Sequence, residues 1–119
     1  MEAIDLDQKF ATFDDCWSPR IIADINDQQV KLARLDGEFV WHEHANEDEF
    51  FLVLEGRLEI HFRDSITVLT PGQLCVVPKG VEHKPNATLP TKILLIERAT
   101  TKHTGTTETP RANNDQQRI

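Results

Sequence analysis

His42 and His44, then Glu49, then His83 34 positions after Glu49, are residues of the types that hold metal ions. Two positions apart on a β-strand, His42 and His44 point to the same face. Glu49 opens the apolar run Phe50-Phe51-Leu52-Val53-Leu54, which reads as the next strand, and His83 follows the turn Pro78-Lys79-Gly80. Three neutral imidazoles and one carboxylate suit a single divalent transition metal: iron, manganese, zinc, nickel, cobalt or copper. A metal that prefers more than four ligands would keep a position for water or substrate. The competing account makes these ordinary polar residues on a strand and its turns. It has to put three of the chain's five histidines at these spacings by accident.

The elements that must position these residues read as β throughout. Ile21 to Ile25 and Val30 to Leu35 flank the turn Asn26-Asp27, and Asp36-Gly37 closes the second strand. Phe50 to Leu54 and Leu58 to Phe62 flank Glu55-Gly56, which reads as the centre of a tight hairpin. Short strands are expected at Ile66 to Leu69, Leu74 to Val77, His83 to Asn86 and Lys92 to Glu97. Helical periodicity is weak over this span, and many short, evenly spaced strands predict an antiparallel sandwich or barrel. Residues 1–20 form an acidic arm, anchored by Phe10 and Phe13, and residues 21–99 the barrel. Residues 100–119 form a polar tail, loosely ordered or lying on a partner, and His103 in it is expected to be exposed.

Strand alternation assigns directions. With His42 and His44 inward, Val40 and the Glu38 position also face in, while Phe39 and Trp41 face out. Glu49, Phe51 and Val53 line the interior, as do Leu58, Ile60 and Phe62 on the following strand. Arg57, Glu59, His61 and Arg63 then face solvent, so His61 reads as a solvated residue beside Glu59 and not as a fifth ligand. Cys75 reads as a small buried hydrophobe. Lys79, Glu82 and Lys84 read as solvated loop charges, the alternative being that one steers a substrate or moves a proton. Outward Phe39 and Trp41 need cover, either from the arm with Phe10, Phe13 and Trp17 or from a second subunit.

The spacings resemble those of the cupin superfamily. Its first motif is matched by Gly37, His42-Glu43-His44, Glu49 and Gly56, and its second by Gly72, Pro78-Lys79-Gly80, His83 and Asn86. The Gly37–His42 and His83–Asn86 gaps are each one residue shorter than usual, which leaves the spacing among the four candidate ligands untouched. Trp17-Ser18-Pro19, Val30-Lys31-Leu32, Phe39-Val40-Trp41-His42 and Thr104-Gly105 are similar to small single-domain bacterial cupins, many loosely labelled mannose-6-phosphate isomerase-like. The resemblance implies an all-β fold, a double-stranded β-helix (jelly-roll) barrel. It also implies a metal held by His42, His44, Glu49 and His83, and pairing into a homodimer.

Composition narrows the function. The 119 residues suffice for one domain with its own core, and the formal charge of −7 with scattered Lys and Arg gives no nucleic-acid footprint. No apolar run approaches a membrane span, and the acidic N-terminus is unlike a signal peptide. Two cysteines in unrelated contexts, Cys16 and Cys75, suit a reducing compartment, so the cytoplasm is expected. The chain contains no tyrosine, no phosphate loop and no Ser-His-Asp order, and no second carboxylate stands out beside Glu49 on its inward face. Two functions share these features. One is a metal-dependent enzyme on a small organic substrate, a dioxygenase or an isomerase, and the other a non-catalytic module binding a small molecule or metal.

Overall fold

The computed structural model describes residues 1–99 and 116–119. A short helix, α1 (Leu6–Phe10), precedes six strands: β1 (Arg20–Ile25), β2 (Gln28–Glu38), β3 (Glu49–His61), β4 (Ile66–Leu69), β5 (Leu74–Val77) and β6 (Lys84–Arg98). All pairings are antiparallel, in the order β1-β2-β6-β3-β4, with β5 pairing the first half of β3. The architecture is the jelly-roll cupin barrel expected. Asn26-Asp27 turns β1 into β2, with Asn26 at φ 54°, a backbone region Asn tolerates.

Glu55-Gly56 is not a hairpin. β3 runs through it, because residues on both sides pair with the same neighbour: Val53 opposite Ile93, and Leu58 opposite Ala87, both on β6. The register shifts between Val53 and Leu58, where the long strand bends round the barrel. Gly56 sits at φ +95°, and a Cβ there would lie 2.5 Å from the Pro90 carbonyl oxygen and against Thr91 Oγ1. The Thr91 hydroxyl fastens the crossing: it accepts from the Arg57 N–H at 3.0 Å and donates to the Leu89 carbonyl at 2.7 Å. A Gly inside a strand pattern can mark a close backbone approach as well as a turn. For the same reason the two expected strands His83–Asn86 and Lys92–Glu97 are one continuous β6.

Inside the barrel, Phe51, Val53, Leu58 and Ile60 of β3 meet Ala33 and Leu35 of β2 and Ile93 and Leu95 of β6. The alternation of β3 is as expected, with Phe62 half-buried at its end. A second cluster lies on the outer face of β1 and β2, where Phe10 and Phe13 of the arm cover Ile22 and Leu32. Burying an aromatic ring of this size contributes roughly 1.5–3 kcal/mol. The chain's end also docks there. Ile21 donates to the Gln117 carbonyl at 2.8 Å, Ile119 donates to the Ile21 carbonyl at 2.9 Å, and Ile119 packs on the Phe10 cluster. Residues 117–119 are thus held on this chain's own β1, while the rest of the expected tail, with His103 and Thr104-Gly105, lies outside the described residues.

Candidate metal centre

Residues 39–48 leave regular strand, and this loop is pinned from across the barrel. The His42 and His83 N–H groups each donate to the other residue's carbonyl at 2.9 Å, and Gly80 donates to the His44 carbonyl at 2.8 Å. Two of the three imidazoles are then oriented by backbone. Nδ1 of His42 donates to the Val40 carbonyl and Nδ1 of His83 to the Val81 carbonyl, both at 2.9 Å. Both turn Nε2 inward, and in His42, whose Nε2 has no hydrogen-bond partner, the proton sits on Nδ1 and the Nε2 lone pair is left for a metal. The expected quartet is brought together: one donor atom from each of His42, His44, Glu49 and His83 lies within 4.8 Å of all the others, and all four residues are buried.

The donors are packed too closely for what they bond. Glu49 Oε2 stands 3.0 Å from His83 Nε2, 2.7 Å from His44 Nε2 and 3.9 Å from His42 Nε2. Only the His83 contact has the alignment of a hydrogen bond; Nε2 of His42 and of His44 are buried without a partner. Such orphaned atoms cost roughly 1–3 kcal/mol each, a deficit that one cation among four lone-pair donors would remove. The residues present therefore fit a divalent transition metal. Burial pushes His42 down to about 4, so it is already neutral as a ligand must be. Burial also disfavours the charged form of His44, but Glu49 outweighs it and the pKa lies above the ordinary value. For Glu49 itself burial works upward, while His44 and His83 together hold the carboxyl far below the usual carboxylate range.

His42 and Glu49 also form part of the wall of a small cavity of about 30 Å³, open to solvent at one side and otherwise lined mainly by Leu35, Phe39, Phe51, Ile93 and Leu95. Trp17 closes over it, its ring stacked on Phe39 with centroids 4.5 Å apart. Trp17 sits at φ 59°, held by N–H bonds to the Arg34 and Asp36 carbonyls at 2.9 and 3.0 Å.

A family profile described as the cupin domain matches residues 29–97. The chain belongs to the cupin family. A cupin-2 domain containing protein of Shewanella frigidimarina is 54% identical, with a TM-score of 0.79 over 80% of this chain and 93% of that one. Protein NMB1881 of Neisseria meningitidis is 33% identical, with a TM-score of 0.74 over 82% of this chain and 99% of its own. The uncharacterized protein YdbB of Bacillus subtilis is 42% identical over 77 residues, 64% of this chain and 68% of YdbB.

Within this cupin the other sequence candidates divide. Phe39 does not face out: it is buried in the cavity wall, edge-on to His42 with ring centroids 5.5 Å apart. The strand alternation used to aim it fails because Gly37, at φ +75°, and the register shift between Leu35 and Gly37 break the pleat before it is reached. Val40 is only half-buried and Glu38 is exposed for the same reason. Trp41 is half-buried on the other side under the Arg63 guanidinium, 3.7 Å from its ring centroid. His61 pairs with Glu59 at 2.9 Å on the outer face, as expected. Asn86 lies outside the quartet. Glu82 pairs with Arg63 at 2.6 Å and Lys84 with Glu38 at 3.2 Å, while the Lys79 N–H caps Asp48 at 2.9 Å. Cys75 is half-buried against the inner core, and both cysteines are free. Among the described residues no helix is long and apolar enough to cross a membrane.

One functional candidate was missed. Glu97 is a second carboxylate in the interior, buried on β6 and lining the same cavity as His42 and Glu49. Burial first, and then the Glu49 charge, push it up to about 7. The signal was present: in Ile93-Leu94-Leu95-Ile96-Glu97, alternation puts Glu97 on the face of Ile93 and Leu95. Lys31, also buried, lies on the matching face of β2 and partly offsets the upward push on Glu97.

Proposed function

We propose that this cupin is a metal-dependent enzyme acting on a small organic substrate, as a dioxygenase or an isomerase. The observation that carries the reading is the junction of two features: four converging buried donors, and an apolar cavity whose wall two of them share. His42, His44, Glu49 and His83 would hold one divalent transition metal, which supplies Lewis-acid activation of a substrate oxygen and, for a redox-active ion, oxygen chemistry. The protein's part is orientation and exclusion. Val40 and Val81 carbonyls fix two imidazoles, Phe39 and Phe51 keep water from the reacting end, and Trp17 closes the outer side.

Elemental analysis of untagged protein, beside His44→Ala, tests this together with turnover. A near-stoichiometric transition metal, lost with activity in the variant, is expected; activity that survives without metal overturns it. Metal retention with tight metabolite binding and no chemical change over hours would make this cupin a binding module instead.

We further propose that two copies pair through the outer edge of the barrel. The support is an exposed row of Ile66 and Val68 on β4 and Leu74 and Val76 on β5, both strands lying along β3. A solution mass of one chain at well above micromolar concentration would refute it.

A further inference from the structure

Glu97 is the group in this barrel that the proposed metal site leaves unexplained. It is 3% exposed, yet neither carboxylate oxygen has a hydrogen-bond partner. Ile93 and Leu95 fill the two preceding positions on the same face, and buried Lys31 of β2 offsets the Glu97 charge only partly and without a hydrogen bond to either oxygen. It is not a fifth member of the converging quartet. Instead it borders two spaces at once. One is the apolar cavity beside His42 and Glu49, and the other is a polar cleft of about 170 Å³ that also touches Asn46, Glu47, Asp48, Lys79 and Arg98. A buried acceptor with an empty coordination sphere, facing a cavity next to a metal-type site, is arranged to receive a donor that arrives with a ligand.

We infer that Glu97 is a substrate contact that accepts a hydrogen bond from a hydroxyl of a molecule whose adjacent oxygen reaches the His42–His44–Glu49–His83 cluster. The inference rests on the metal-dependent reading above and names the substrate class for it. Such a molecule carries neighbouring oxygens, one of them hydroxylic, on an apolar body: a hydroxyketone, an enediol or a catechol. The cavity is small and open to solvent at one side, so the oxygen-bearing end of the molecule enters it and the rest stays at the mouth. Its walls are hydrocarbon and aromatic, which suits the body of the molecule. Glu49 and Glu97 stand on one side of it, so a small dianion such as oxalate would meet two carboxylates where it needs donors. Acceptance needs only a carboxyl oxygen, so the contact survives whether or not Glu97 carries a proton.

The test uses the full chain loaded with cobalt(II) under anaerobic conditions, and reads the visible absorption of the ion and its stoichiometry. Catechol and its monomethyl ether guaiacol are the probes, in wild type, Glu97→Met and Glu97→Gln. Methionine keeps the volume without an acceptor, and glutamine restores a neutral one. Equal cobalt content in all three is expected, with the catechol-to-guaiacol affinity ratio about tenfold lower in Glu97→Met and partly recovered in Glu97→Gln. An unchanged ratio with cobalt in place would overturn the contact. Loss of cobalt in Glu97→Met would overturn it differently, by making Glu97 a ligand. Cobalt held in wild type with neither probe bound would refute the substrate class, whereas a wild type that holds no cobalt would strike at the metal-dependent reading itself.

Discussion

Glu49 and Glu97 are cross-strand neighbours, directly beyond the Phe50–Ile96 pair of β3 and β6, and both are buried in the barrel. Their environments drive them apart. Glu49 has His44 and His83 against it and stays ionised, while Glu97 has burial and the Glu49 charge against it and is pushed up to about 7. Two carboxylates on one wall, held in opposite protonation tendencies, are a pattern found where chemistry is done.

That contrast sets the stability of the metal-free protein. Glu97 keeps its proton in the fold up to about pH 7 but loses it near 4.5 when unfolded. Stability is therefore intact below about pH 4.5 and declines as pH rises through 7, by about 3 kcal/mol in all. Glu97→Gln, which has nothing to ionise, should match wild type near pH 5 and exceed it at pH 8. Urea unfolding at the two pH values measures the difference; an equal gap at both would mean that Glu97 does not titrate in this range.

The histidines predict a different pH response. His42 is pushed down to about 4, so protons do not compete for it above about pH 5, whereas His44 lies above its ordinary value and still holds a proton near pH 6. Metal affinity should then rise with pH through neutrality because His44 must be deprotonated, with no contribution from His42 in that window. Imidazole Cε1–H titration of the metal-free protein by NMR would show this. A His42 midpoint near 6.5 would contradict it.

Much of this was legible in the chain, and the failures share a cause. The quartet could be found because ligand spacing survives any local distortion of the backbone between ligands. β3's interior face could be read because the sequence alternates cleanly on either side of the Glu55–Arg57 bend, from Glu49 to Val53 and again from Leu58 to Ile60. Gly56 and Gly37 defeated the reading in opposite ways: one was taken for a turn where the strand continues, and the other hid a break in the pleat that turned Phe39 inward. Glu97 was overlooked because a charged residue ending an apolar strand looks like a solvent boundary. Only the closure of the barrel places that strand end beside Glu49.

Gly56 offers a direct check on the crossing. Ala at this position must hold φ near +95° and put its Cβ against Thr91 and the Pro90 carbonyl, with backbone on the far side unable to retreat. Gly56→Ala should lose at least about 2 kcal/mol, combining left-handed strain with a clash, and this can be measured from the urea midpoint. A loss under about 0.5 kcal/mol would indicate that β3 and β6 can separate there, as the hairpin reading would require.

The docking of the chain's end is the remaining relationship open to a simple cut. Gln117 and Ile119 exchange two backbone hydrogen bonds with Ile21, Arg118 pairs with Asp24 at 2.8 Å, and Ile119 covers part of the Phe10 cluster. The Arg118–Asp24 pair is exposed and contributes little, so the backbone bonds and the Ile119 side chain carry the contact. Removing residues 117–119 should lower stability by about 1–3 kcal/mol and leave metal content unchanged, since β2 and β6 both stand between β1 and β3. Hydrogen exchange gives the sharper reading: the Ile21 amide, which donates to Gln117, should lose protection on truncation, while that of Val53 on β3 keeps it. Unaltered protection at Ile21 would show that the chain's end does not pair with β1 in solution.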